Sequence, residues 1–274
     1  MSALDALADW PVPTVAAAVV GPDDTLAHHG DQTQTFPLAS VTKLLAARAV
    51  QVAVEEGVFD LETPAGPPGA TIRHLLAHTA GYDMTSEKVL AAPGTRRIYS
   101  NHGFAVAAEV LERESGIPFT DYLSESVFGP LGMSDTSLDG GAPAAGYGAS
   151  STVADLTVFA RELLTPTLVS EQMHEAATSV QFPGLDGVLP GFGRQRPNDW
   201  GLGFELRDGK TPHWTGAHNS ARTFGHFGQS GTFLWVDPDA ALALVVLTDR
   251  PFGDWAHEVM PALSDEVLRD YRAD

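Results

Sequence analysis

The strand-like segments of this chain sit at its two ends, and that placement constrains its fold more than any other feature. Thr14–Val20 is apolar and β-rich, Gly21-Pro-Asp-Asp24 follows as a turn, and Thr25–His29 completes a hairpin pattern. A lone hairpin is marginal in water, so it needs further strands to pair with. The sequence offers them far downstream, at Trp200–Arg207, Thr223–Phe227, Thr232–Val236 and Ala241–Thr248. The chain is therefore expected to close on itself in one antiparallel sheet.

The middle of the chain changes period. Val41, Leu44, Leu45 and Val52, with Gly57 at the end, describe a helix of about four turns. Further helices are predicted at Thr71–His78, His102–Ser115 with Gly116 as the stop, Thr120–Phe128, Thr152–Leu164 and Ser170–Ala177. Each begins at or near Ser, Thr or Asn, whose side chains cap free amides. Gln181–Asn198 is rich in Gly and Pro without periodicity, which suggests a boundary or a flap. A last helix is predicted from about Asp254 to Tyr271. The fold class expected is α+β, an antiparallel sheet flanked by N- and C-terminal helices with an inserted, mostly helical lobe. Residues 1–60 and 200–274 would make the discontinuous sheet lobe and 61–199 the helical one, together a single domain.

Composition removes several functions. Sixteen Lys+Arg against 35 Asp+Glu give a net charge of −19, the wrong sign for nucleic acid or an anionic membrane surface. The absence of cysteine rules out disulfides, thiolate metal sites and cysteine nucleophiles. The first ten residues have no basic stretch, and Asp5 and Asp9 interrupt any apolar run, so they read as a short amphipathic helix rather than a signal peptide. The longest apolar runs are too short to span a bilayer. A cytoplasmic protein is expected.

There are only three lysines, Lys43, Lys88 and Lys210. Lys43 follows Ser40 by three residues at the start of a helix, so the two side chains can meet on one face. A lysine beside a serine hydroxyl can activate it as a nucleophile, and a helix start supplies free N–H donors. The plainer reading is a capping Ser40 with Lys43 reaching solvent, since one S-x-x-K arises by chance in roughly one such chain in six. Tyr99-Ser100-Asn101 is a second element. A tyrosine can act as a base if a nearby ammonium lowers its pKa, and an asparagine can hold a carbonyl; the plain alternative is a helix cap. A third is His226-Phe227-Gly228-Gln229 on an edge strand, where glycine lets a ligand approach the backbone. His74 and His78, four apart, could chelate zinc on a helix, but no H-E-x-x-H accompanies them and no metal or cofactor is expected.

Taken together, S-x-x-K, Y-x-N and H-x-G in that order resemble the serine β-lactamase and penicillin-binding protein superfamily. The likeness is to its tyrosine branch: class C β-lactamases, D-alanyl-D-alanine peptidases and esterases of β-lactamase fold. Leu75–Gly81, Pro93–Asn101, Gly129–Met133, Ser151–Asp155 and Trp200–Phe204 also look like the family, so the resemblance covers nearly the whole chain. It implies Ser40 as nucleophile, Lys43 and Tyr99 sharing proton transfer, and the backbone amides of Ser40 and Gln229 as oxyanion hole. Asn101, His226, Phe227 and Gly228 would contact substrate.

Two departures stand out. The short stretch from Ser40 to Tyr99 implies a trimmed helical lobe and an open cleft. Phe227 stands where penicillin-recognising members usually carry threonine, which removes a donor for the substrate carboxylate. Arg194 or Arg222 could replace that donor only by folding inward. The expectation is a serine hydrolase of small esters or amides, esterase-like, with β-lactamase or D-alanyl-D-alanine carboxypeptidase as alternatives. A penicillin-binding sensor that acylates without turnover is the alternative from another class.

Overall fold

The computed structural model describes residues 2–272. Its main sheet has six antiparallel strands in the order Thr25–His29, Val15–Val20, Leu242–Thr248, Phe233–Asp237, Phe224–Phe227, Glu205–Leu206. The N-terminal hairpin does join the C-terminal strands: Ala16 faces Leu247 and Val19 faces Leu244. The architecture is the α+β arrangement expected from the sequence.

Both faces of this sheet are covered, which explains why its central strands read as unbroken apolar runs. Alternation sends Ala16, Ala18, Val20, Ala243, Val245 and Leu247 to one core, and Ala17, Val19, Leu242, Leu244 and Val246 to the other. The first core is closed by the helices Thr42–Glu55 and Val153–Leu164. The second is closed by the Asp254–Tyr271 helix and a short 3₁₀ helix at Ala3–Asp9. The same alternation gives His226 and Phe227 opposite faces.

Most helix ends follow the predicted caps. Ser100 accepts from the Gly103 amide at the start of Asn101–Ser115, and Gly116 ends that helix at φ +74°. Thr152 and Ser170 cap Val153–Leu164 and Glu171–Ala177 in the same way. Differences are local. The helix predicted over Thr71–His78 spans only Ile72–Leu76, and the one over Thr120–Phe128 is Phe119–Leu123 followed by a wider π-helical turn. Of Trp200–Arg207 only Glu205–Leu206 is strand. Gly203 there has φ +91°, and a Cβ on it would lie 2.2 Å from the Ala47 Cβ. The chain is wedged against the Thr42–Glu55 helix and cannot run straight. The aperiodic stretch 181–198 contains a small hairpin, Gly187–Leu189 with Gly193–Gln195. A further small sheet joins Phe36–Pro37, Ala149–Ser151 and Ser137–Leu138. No helix among the described residues is long and apolar enough to cross a membrane.

Candidate active site

Ser40 lies in a 3₁₀ turn, Ala39–Val41, that runs into the Thr42–Glu55 helix. Ala39 has φ +46°, a left-handed conformation that costs a non-glycine residue about 1–3 kcal/mol. The turn is clamped from outside: Thr232 Oγ1 donates to the Leu38 carbonyl at 3.0 Å. Gly228 sits so close that a Cβ would come 2.4 Å from the same oxygen. The end of the Phe224–Phe227 strand is thereby pressed against the segment bearing Ser40. The amides of Ser40 and Gln229 make no hydrogen bond among the described residues. Ser40 is not a helix cap, contrary to the plainer reading, because Val41 holds that position and no side chain caps it.

Lys43 is wholly buried. Its Nζ lies 2.5 Å from Asn101 Oδ1, 2.7 Å from the Gly146 carbonyl and 3.3 Å from Ser40 Oγ. No carboxylate pairs with it among the described residues, and burial pushes its pKa well below the usual lysine value. A neutral amine has two N–H donors and one lone pair. Once Lys43 is neutral, the two oxygens that can only accept take its donors and the lone pair is left for the Ser40 hydroxyl.

Tyr99 donates to Ser40 Oγ at 2.7 Å, and His226 Nε2 lies 3.3 Å from its hydroxyl. Burial raises its pKa, only partly offset by the Ser40 hydrogen bond, so it rests as a phenol rather than a phenolate. The lowered pKa that base action would need is not met. His226 Nδ1 faces the Phe227 carbonyl at 2.6 Å, an oxygen that can only accept, so Nδ1 carries the proton and Nε2 a lone pair. Burial lowers His226 to about 3 and keeps it neutral.

Ser40, Lys43, Tyr99, Asn101 and His226 are thus brought together. Asn101 gives its Oδ1 to Lys43, so its Nδ2 donors are free to face the cleft. Phe227 is placed differently. Its ring, 7% exposed, packs against Phe252 at 5.0 Å, Phe192 at 5.5 Å and Trp214 at 5.8 Å. Arg194 and Arg222 do not turn inward: exposed, they pair with Asp186 and Asp239, each at 2.9 Å.

Several supporting residues carried no assigned role in the sequence reading. Arg97 donates from Nε to the Asn198 carbonyl (2.8 Å) and from Nη1 to Ala77 (2.6 Å). Its Nη2 donates to Gln181 and Phe182 (2.7 and 3.1 Å). It stands two residues before Tyr99 and fixes the neighbours of both aromatic rings packed on it, His78 at 4.6 Å and Trp200 at 5.8 Å. His78, at φ +57° beyond its helix, accepts from the Ser100 amide through Nδ1. It therefore cannot share a helix face with His74, and no group of metal-binding side chains occurs among the described residues. Behind Trp200, buried Glu205 accepts from Lys210, from His213 Nε2 (2.9 Å) and from Trp214 Nε1 (2.9 Å). Burial pushes its carboxyl up, yet His213 and Lys210 hold it down at about 2. Of these, Arg97, His78 and Trp200 lie in family-like segments, Pro93–Asn101, Leu75–Gly81 and Trp200–Phe204, whereas Glu205, Lys210 and His213 lie outside them. Gly146 acts through its backbone, which leaves no signal in the sequence.

The pattern of the Beta-lactamase family matches residues 5–269, and the chain belongs to that family, whose members are serine hydrolases. A protein from Mycobacterium bovis, named as a beta-lactamase, has a crystal structure that superposes with a TM-score of 0.99 at 67% identity, covering 99% of this chain and 100% of that one. Penicillin-binding protein 4* of Bacillus subtilis is 30% identical over 134 residues, 37% of this chain and 30% of that protein. The D-alanyl-D-alanine-carboxypeptidase/endopeptidase AmpH of Escherichia coli is 28% identical over 136 residues, 36% and 35% of the two chains. The chain thus spans about a third of the length of these curated relatives.

Proposed function

We propose that this family member hydrolyses small esters that carry no carboxylate, through an acyl-enzyme on Ser40. The observation that carries the reading is Lys43, buried with no carboxylate partner among the described residues and with its Nζ 3.3 Å from Ser40 Oγ. As Ser40 Oγ attacks the carbonyl carbon, its proton passes to Lys43 Nζ. The oxyanion is held by the Ser40 and Gln229 amides, which are free to donate. Asn101 Nδ2 orients the acyl side chain. Tyr99 gives its proton to the departing alkoxide and takes back from Lys43 the proton that left Ser40, with His226 Nε2 beside its hydroxyl. Water then repeats the attack on the acyl-enzyme with Lys43 as base.

Ester preference rests on the lack of a cation to meet a substrate carboxylate. Lys43 and His226 are neutral, Arg194 and Arg222 are paired outside, and Phe227 has no donor. A second reading, β-lactam hydrolysis, is favoured by the name of the 67% identical Mycobacterium bovis protein. The test compares kcat/KM for p-nitrophenyl butyrate, nitrocefin and a D-Ala-D-Ala peptide. The ester should turn over repeatedly and fastest. Faster cleavage of nitrocefin would install the second reading, and a single burst without turnover would make the protein a sensor.

A further inference from the structure

Beside Asn101 opens a cavity of about 440 Å³, lined by Thr85, Asn101, His102, Ala105, Glu109, Pro143 and Tyr147. Its floor is one stripe of the Asn101–Ser115 helix. Asn101, Ala105 and Glu109 follow each other at four-residue steps, so they share a face over about 12 Å. The near end is the amide that touches Lys43, and the wall is set by the same loop, since Tyr147 follows the Gly146 whose carbonyl binds Lys43. Asn101 thus joins the two places, its Oδ1 accepting from Lys43 beside Ser40 while the residue lines the near end of the cavity.

Along the cavity the lining changes from apolar to cation-seeking. Ala105 and Pro143 offer no polar side chain. Tyr147 is 49% exposed and has no aromatic partner among the described residues. Glu109 makes no ion pair or hydrogen bond there, while the nearest cation on its helix, Arg113, is bound to Glu114 at 2.9 Å. An open tyrosine face and an unpaired carboxylate both attract an ammonium or guanidinium. The phenol of Tyr82, which packs on His102, is pushed up by burial and then by Glu87 and Glu109, so the field at this end is negative.

From this arrangement we infer that the cavity beside Asn101 selects acyl groups with an apolar spacer ending in a cation, the charge meeting Glu109 and the Tyr147 ring. The inference rests on the hydrolase reading and names the acyl class of that same site. Helical side chains lean toward the helix N-terminus, which brings the Glu109 carboxylate nearer to Ser40 than its Cα.

The test uses three p-nitrophenyl esters of equal length: 8-aminooctanoate, octanoate and the half-ester of octanedioic acid. An exposed pair contributes at most about fivefold, and exchanging attraction for repulsion widens the ammonium-to-carboxylate ratio of kcat/KM to roughly tenfold. Glu109→Gln should shrink that ratio toward one, Glu109→Lys should reverse it, and 1 M salt should compress it in the unaltered protein. A ratio indifferent to both substitutions and to salt overturns the proposal. Failure to turn over the octanoate ester strikes the hydrolase reading itself and removes the acyl class with it. Turnover of all three at equal rates removes the acyl class alone.

Discussion

Replacing Lys43 with methionine isolates the ionisation on which the chemistry depends. In the unfolded chain Lys43 takes up a proton as pH falls through about 10.5, whereas in the folded protein burial depresses its pKa well below that value. Between the two pKa values the unfolded state binds one more proton. Stability therefore rises with pH across the window and falls as pH is lowered. The slope is set by one proton: about 1.4 kcal/mol per pH unit, tenfold in the folding constant. Methionine preserves the length of the side chain and removes the titration, and every other group cancels in the comparison. Urea unfolding of both proteins from pH 6 to 10 should show the wild type gaining on Lys43→Met by that slope. The pH at which the gap stops changing is the folded-state pKa of Lys43, and the acid limb of kcat/KM on an ester should fall at a nearby pH. Parallel stability curves across the range would mean that the lysine stays charged in the fold, and the base assigned to Ser40 would be wrong.

Ser40→Ala should abolish ester turnover by at least about 10⁴-fold while stability stays within about 1 kcal/mol, since only the contacts with Tyr99 and Lys43 are lost; near-normal activity would sink the nucleophile. Arg97→Lys loses the planar fork and leaves about two buried carbonyls unpaired, a cost of roughly 2–4 kcal/mol. In the folded enzyme kcat should drop more than KM rises, and an unchanged kcat would show that Arg97 does not hold Tyr99. Gly228→Ala drives a Cβ into the Leu38 carbonyl and should displace the Gln229 amide, lowering kcat about 10²-fold, as loss of an oxyanion donor does. Because His226 titrates near 3, His226→Gln should lower kcat without moving an acid limb above pH 5. Movement of that limb would give it to the histidine.

The readable parts of the sequence were those in which a side chain declares its own position. Ser100, Thr152 and Ser170 announced helix starts because a hydroxyl near free amides has a local partner, and Gly116 announced an end. The long-range pairing of the two strand groups followed from the instability of a lone hairpin. Ser40, Lys43, Tyr99, Asn101 and His226 were readable as candidates through three short motifs. What stayed hidden depends on partners distant in sequence. Arg97 lies in the family-like segment Pro93–Asn101, but its task is visible only once the carbonyls of residues 77, 181, 182 and 198 surround it. His213 is buried against Glu205, a partner that no local pattern announces. The straight strand expected at Trp200 fails because Gly203 must pass Ala47, a constraint of packing between segments.

The pairing of the first strand with the last has a consequence in time. Ala16 and Leu247 are roughly 230 residues apart, a contact of high sequence separation that is slow to form. During synthesis the Val15–Val20 strand, apolar on both faces, must wait until Leu242–Thr248 has left the ribosome. His226 and Gly228 arrive in the same late portion and complete the surroundings of Ser40. A fragment lacking that portion holds the serine and lysine without the strand that clamps their turn. Maturation of the site is thus tied to synthesis of the Phe224–Thr248 strands, and until then Val15–Val20 is left exposed as a natural target for chaperones.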